Sequence, residues 1–235
     1  MDAVTREHLI LKEPAEKVYS ITTNDLARLS PVGVTWLAKS QQKRLDYENI
    51  LELVAERGQA HPNMIRLLNP SVDWTNVIVG TTVMIPDVQF PPVRRRAASL
   101  HISLSNRTLQ ALDGDKVVLA HFPCSIARRV DKRPLGQLFV EEVALNPPYR
   151  FDPSIFPESA EAAKLGRTLI IPPGPNNPVG AAWIGLSLPG YGIHGTPRPE
   201  EVGRTESHGC FRLANWNAEY LAQLVRGGTP VFVEP

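Results

Sequence analysis

Proline constrains this chain more than any other residue: 22 of its 235 residues are proline, about twice the usual share of ~5%. An interior proline removes a helical hydrogen bond and clashes with the preceding turn, which excludes long uninterrupted helices over much of the sequence. Prolines gather with glycines at Pro134-Leu135-Gly136, Pro147-Pro148, Pro172-Pro173-Gly174-Pro175 and Pro189-Gly190, where they punctuate short strands. From Ala98 the apolar period is two. Leu100-His101-Ile102-Ser103-Leu104 alternates, and Asp113-Gly114-Asp115 is a hairpin-type turn before a strand at 117–120. Further strands are predicted at 137–143, 168–171, 182–188 and 231–233. One helix is predicted near the end, capped by Asn217, with Tyr220, Leu221, Leu224 and Val225 at helical spacing before Gly227-Gly228. This half is expected to be mainly β, a sandwich or barrel with a short C-terminal helix.

Residues 1–45 lack a clean period and read as an arm packing on a neighbouring domain. Short helices are expected at 24–29 and around 35–38. Residues 46–90 are better defined. Asp46 can cap a helix through Ile50, Leu51, Leu53 and Val54 that stops at Gly58; His61-Pro62-Asn63 opens a second, closed by Asn69-Pro70. Val77-Ile78-Val79-Gly80-Thr81-Thr82-Val83-Met84-Ile85-Pro86 follows as a turn and a strand. This order resembles the second half of a LysM module, a small α/β glycan-binding domain, although no first strand is evident ahead of Tyr47. Residues 91–97, stiffened by Pro91-Pro92 and solvated by Arg94-Arg95-Arg96, read as a linker, and 98–235 as a second domain.

Charge narrows the partners. Lys and Arg total 25 against 24 Asp and Glu, a net charge of +1, which argues against nucleic acid and other polyanions. With 43% hydrophobic and 21% charged residues, the chain can bury a core rather than stay disordered. No run reaches the ~18 apolar residues of a membrane span. The first eight residues are charged and lack an apolar signal core, which fits either a cytoplasmic protein or a trimmed one.

The two cysteines, Cys124 and Cys210, exclude a disulfide framework and a four-thiolate zinc site. Chemistry concentrates in Tyr191-Gly192-Ile193-His194-Gly195-Thr196 and Ser207-His208-Gly209-Cys210-Phe211-Arg212-Leu213. A thiol with an ordinary pKa near ~8.5 needs a base or a cation beside it to react as thiolate near neutral pH, and His194 and His208 are the candidates. Spacing alone leaves three readings open: a Cys–His nucleophilic site, a buried Cys210 acting as a small hydrophobe, and zinc held by His194, His208 and Cys210.

Together the two motifs resemble the signature of L,D-transpeptidases of the YkuD family. Supporting pieces stand in order: Ser125-Ile126, Arg133-Pro134-Leu135-Gly136, Asn146-Pro147-Pro148-Tyr149, Pro173-Gly174-Pro175-Asn176-Asn177-Pro178-Val179-Gly180, Trp183-Ile184-Gly185-Leu186 and Gly228-Thr229-Pro230-Val231. Ala127, Phe211 and Asn217 depart from the pattern without removing a reactive group. The resemblance implies a YkuD-like β-sandwich over 98–235 and a catalytic Cys210 with His194 as base. The Gly195 carbonyl would orient the imidazole and His208 would assist. It implies an oxyanion hole from the N–H groups of Gly209, Cys210 and His208, and substrate contacts from Arg212, Tyr191 and Ser207, with no metal or other cofactor.

The reaction implied is acyl transfer on peptidoglycan stem peptides. The thioester would be resolved by a second stem (a 3→3 cross-link), by a lipoprotein lysine, or by water, the last making the enzyme an L,D-carboxypeptidase. A non-catalytic wall-binding protein is the alternative from another class. Peptidoglycan implies a periplasmic or cell-wall location, the LysM-like region engaging glycan strands or covering the cleft. Cys124 is expected to be a buried structural thiol, both cysteines staying reduced.

Overall fold

The computed structural model describes residues 14–155, 159–204, 207 and 209–235. In chain order its elements are β1 (Glu16–Ser20), α1 (Thr23–Ala27), α2 (Trp36–Ser40), α3 (Ile50–Arg57), α4 (Pro62–Leu68), β2 (Thr82–Pro86), β3 (Ser99–Ser103), β4 (Thr108–Leu112) and β5 (Val118–Pro123). They continue with β6 (Gly136–Leu145), β7 (Tyr149–Phe151), α5 (Ala160–Leu165), β8 (Leu169–Ile171), β9 (Ala182–Leu186), β10 (Gly192–His194), β11 (Phe211–Arg212), α6 (Asn215–Leu224) and β12 (Pro230–Glu234). Among the described residues no helix is longer than the ten residues of α6, as the proline spacing demands, and none is long and apolar enough to cross a membrane.

The chain forms two compact units: residues up to Leu29 with Asn49–Phe90, and Ser30–Glu48 with Pro91–Pro235. This division differs from the expected one, which kept 1–45 together as an arm. Residues 30–48 belong with the large unit, and Glu16–Ser20 supplies a strand of the small one.

In the small unit β1 and β2 pair antiparallel from Glu16↔Pro86 to Ser20↔Thr82. The first strand not evident in the sequence is therefore present. It escapes notice because its side chains alternate only between exposed and half-buried. Ile21, Leu53, Val54, Ile65, Val83 and Ile85 are buried together in this unit. Thr22 caps α1 in a reciprocal box with Asp25, and the buried Asp25 carboxylate also accepts the Tyr19 hydroxyl at 2.7 Å and pairs with Arg57. Asn49, not Asp46, caps α3. Asn69 closes α4 by donating to the Ile65 and Met84 carbonyls and accepting from the Met84 N–H, which locks the helix to β2.

In the large unit an eight-stranded sheet runs β11-β10-β9-β6-β12-β3-β4-β5. The ten-residue β6 is its pivot. Its first half pairs with β12 and its second with β9, with a register break between Val140 and Glu142, where a bulge bends a sheet. The chain beyond β5 then reaches the opposite edge: Ser125 bridges Arg212 antiparallel, and Ala127 bridges Ser207. Of the sandwich or barrel expected, the described residues form the second kind of closure, one curled sheet with joined edges rather than two packed sheets. Helix α6 packs on β9, β6 and β10 and buries Ala218, Tyr220, Leu221 and Leu224, at ~1.5–3 kcal/mol for each large apolar side chain. It begins two residues before the expected cap, with Ala214 as N-cap and no side chain capping it.

A second core lies at β7 and β8, which pair from Tyr149↔Ile171 to Phe151↔Leu169. Leu45, Phe151, Ala162, Leu169 and Ile171 are buried together there, flanked by Val32, Trp36, Tyr149 and Leu165.

Candidate active site

The site is built on the joined edge of the curled sheet. β11 pairs parallel with β10, Ile193 opposite Phe211 and His194 opposite Arg212. Paired residues on neighbouring strands share a face, so Arg212 stands on the face that His194 uses on β10. Strands lie ~4.8 Å apart, which sets an imidazole beside a guanidinium, with Cys210 in the bend that leads directly into β11. Ile193 and Phe211 point the other way and are buried at 0% and 1% exposure. The large residue after the cysteine is therefore a core residue.

His194 is buried and held on two sides. Its ring stacks on Trp183, the residue opposite it on β9, with centroids 5.6 Å apart and 25° between planes. Its Nδ1 lies 2.6 Å from the Gly195 carbonyl. A carbonyl only accepts, so Nδ1 carries the proton and Nε2 keeps a lone pair. Burial lowers the imidazole pKa to about 4, the bond to the Gly195 carbonyl opposing and Arg212 assisting, and the ring is neutral at pH 7.

Cys210 is half-buried and unpaired. Burial raises its pKa, against a backbone hydrogen bond from Gly192 and the charge of Arg212. Its Sγ lies 3.6 Å from the Gly190 carbonyl. The resting pair is thus a neutral thiol and a neutral imidazole. Cys124 is a free thiol with no exposed surface, burial pushing its pKa up to about 12.

The turn before the nucleophile is fixed from outside. Ser125 and Arg212 exchange both backbone hydrogen bonds at 2.9 Å, Ser207 N–H donates to the Ile126 carbonyl, and Arg128 N–H donates to the Ser207 carbonyl. The Ser207 hydroxyl donates to the Cys210 carbonyl and accepts from the Gly209 N–H at 3.2 Å. Ser207 is 4% exposed and its hydroxyl holds the turn, engaging the Gly209 N–H. His208 lies outside the described residues. Tyr191 flanks the turn, its ring beside Gly209. Arg212 is half-buried and has no carboxylate within ion-pair reach among the described residues; burial holds its pKa below the usual arginine range.

Asn215, the residue that sequence reasoning passed over, ties these parts together. Its Oδ1 accepts the N–H groups of Ala181 and Thr196, both at 3.0 Å, and its Nδ2 donates to the Pro175 carbonyl. A Cβ on Gly195 would overlap that Oδ1, so glycine is required after the histidine for this approach as well as for the turn. The start of α6 thereby fixes the carbonyl that fixes His194. A polar residue two positions before the expected cap was the available signal.

A model of the L,D-transpeptidase catalytic domain matches residues 97–233. The chain is 27% identical over 188 residues to a Bacillus licheniformis protein described as the L,D-transpeptidase YkuD, covering 79% of this chain and 93% of that one. It is 30% identical over 225 residues to a protein of Escherichia coli described as the L,D-transpeptidase YbiS, covering 91% of this chain and 67% of that one. Among solved structures, L,D-transpeptidase 3 from Mycobacterium tuberculosis in complex with a faropenem-derived adduct aligns over 68% of this chain and 76% of that one, with a TM-score of 0.45 and 18% identity.

Proposed function

This chain belongs to the L,D-transpeptidase (YkuD) family, and on that premise we propose that it transfers acyl groups between peptidoglycan stem peptides through a thioester on Cys210. The observation that carries the reading is the neutral His194, its Nδ1–H committed to the Gly195 carbonyl, on the strand that pairs with the one beginning directly after Cys210. A carbonyl here does the orienting work that a carboxylate does in serine proteases.

As the thiol attacks the carbonyl of the stem's diamino acid, its proton passes to His194 Nε2. The Cys210 N–H stabilises the developing oxyanion. The C–N bond to the terminal D-alanine breaks, the departing amine takes the proton from His194, and a thioester remains. An acceptor amine from a second stem then loses a proton to His194, attacks the thioester and expels the sulfur, which regains that proton. Arg212 binds a donor carboxylate; a cation with no carboxylate of its own is suited to that role.

The place of action is the cell envelope, where peptidoglycan lies. The small unit serves as a LysM-like glycan-binding module that raises the local concentration of strands; its two-stranded antiparallel sheet with helices between the strands supports this reading. Incubation with disaccharide-tetrapeptide separates the outcomes. Cross-linked dimers with release of D-alanine are expected; monomeric tripeptides alone would assign the enzyme to carboxypeptidases, and no D-alanine at all would overturn acyl transfer.

A further inference from the structure

The face of the sheet that carries His194 carries two more side chains, Trp183 and Glu142, that bear on the imidazole. β9 and β10 pair Trp183 with His194 and Gly185 with Gly192, and β6 sets Glu142 opposite Gly185 and Ala144 opposite Trp183. Paired residues stand on one face, so Glu142, Trp183 and His194 follow one another across three neighbouring strands. The two opposed glycines make room for the indole. A Cβ on Gly192 would overlap the six-membered ring of Trp183, and one on Gly185 would crowd the Glu142 side chain and the indole nitrogen.

The indole is held at both ends. Its ring stacks on the imidazole with centroids 5.6 Å apart and 25° between planes, inside the ~6 Å at which a cation is drawn to an indole face. Its Nε1–H donates to Glu142 Oε1 at 2.9 Å. A carboxylate is a stronger acceptor than a neutral oxygen; it fixes the rotamer and leaves the indole π-face more negative. The other groups that face the imidazole are the Gly195 carbonyl at Nδ1, Cys210, whose proton it takes, and Arg212, its partner on β11. Arg212 opposes protonation of the ring. Among the described residues no carboxylate lies within ion-pair reach of His194 itself.

We propose that Trp183 and Glu142 are positioning residues of the acyl transfer: the indole face stabilises the imidazolium that His194 becomes when it takes the Cys210 proton, and the Glu142 carboxylate holds that face and makes it more negative. The inference rests on the acyl-transfer reading of Cys210 and His194. A buried carboxylate in a triad has two tasks, orienting the imidazole and supporting its charged form. The Gly195 carbonyl performs the first but carries no full negative charge, and the second passes to the indole. A contact that is weak with the neutral ring and strong with the charged one lowers the barrier rather than the ground state. With Arg212 on the neighbouring strand, the charged ring needs that support.

The rate of acylation of the full chain by a carbapenem, followed by intact mass between about pH 3.5 and pH 8, tests this. Glu142 is exposed, and Glu142→Gln keeps an oxygen acceptor while removing the charge. It is expected to lower the rate at pH 7 about fivefold, and Trp183→Leu about thirtyfold, as loss of part or all of a cation–π contact does. The acid limb of the rate, set by His194 at about pH 4, is expected to move to lower pH in both variants, because the imidazolium has lost support; a merely structural role would leave it in place. In a Trp183→Phe background no N–H reaches Glu142, and adding Glu142→Gln is expected to cost nothing further. The full wild-type rate in Glu142→Gln, a loss with an unmoved limb, or the same loss in the Trp183→Phe background overturns the role of the two residues while leaving acyl transfer standing. A wild-type chain that takes up no acyl group overturns the acyl-transfer reading and this role with it.

Discussion

The Nδ1 of His194 lies 2.6 Å from the carbonyl oxygen of its own neighbour, Gly195. That contact decides the tautomer, and burial decides the charge, so the base is neutral and ready at pH 7 without a carboxylate behind it.

The pH dependence follows. With the His194 pKa lowered to about 4, kcat/KM for acylation should hold as pH falls through the ordinary histidine range and drop only near pH 4, since this parameter reports the free enzyme. Stability shifts with it. The folded pKa lies below the unfolded value of 6.5, so the unfolded chain takes up the proton first on acidification. The His194 contribution is complete above about pH 6.5 and is lost toward pH 4, at most roughly 3 kcal/mol. Urea unfolding at pH 7.5 and 4.5 checks this: the loss should be smaller in His194→Asn, which has nothing to protonate there. An acylation limb near pH 6.5 would contradict a buried neutral base.

Much of this centre was legible in the sequence because its chemistry is local. Glycines beside His194 and Cys210 announce close backbone approach, and the two-residue period at 100–104 announces a strand. What was hidden depends on distant partners. β10 and β11 are three and two residues long, too short to show a period, and exist because the curled sheet pairs them. The strand at 16–20 presents no fully buried side chain. Nothing local in 30–48 says that Leu45 will bond to Pro173, far along the chain. The sequence left sandwich and barrel both open because alternation reports a buried face and not how a sheet closes.

Asn215 and Gly195 should behave as one unit. Asn215→Ala leaves the Ala181 and Thr196 N–H groups buried without their acceptor, at ~1–3 kcal/mol each. A stability loss of roughly 2–4 kcal/mol is expected, together with a fall in kcat. Gly195→Ala should lose a comparable amount because its Cβ meets the Asn215 oxygen. Denaturant unfolding of both singles and the double should show non-additivity, the double losing less than the sum. Strict additivity would mean that the two act separately.

The two thiols should differ in reach. Cys124 has no exposed surface and a pKa of about 12, whereas Cys210 is half-exposed. Native alkylation at pH 8 followed by peptide mapping should label Cys210 at least about a hundredfold faster, since Cys124 reacts only through opening of the fold. Denatured protein should label at both. A native disulfide between them in fully active protein would contradict the assignment of Cys210 as a working nucleophile.

The central claim, that Cys210 is the nucleophile of an acyl-enzyme, is tested most directly by intact mass after incubation with a carbapenem. One covalent acyl adduct is expected on the wild-type chain, mapped to Cys210, undiminished by a strong chelator and absent from Cys210→Ala. An unmodified wild-type chain, or an adduct that survives on Cys210→Ala, would contradict it.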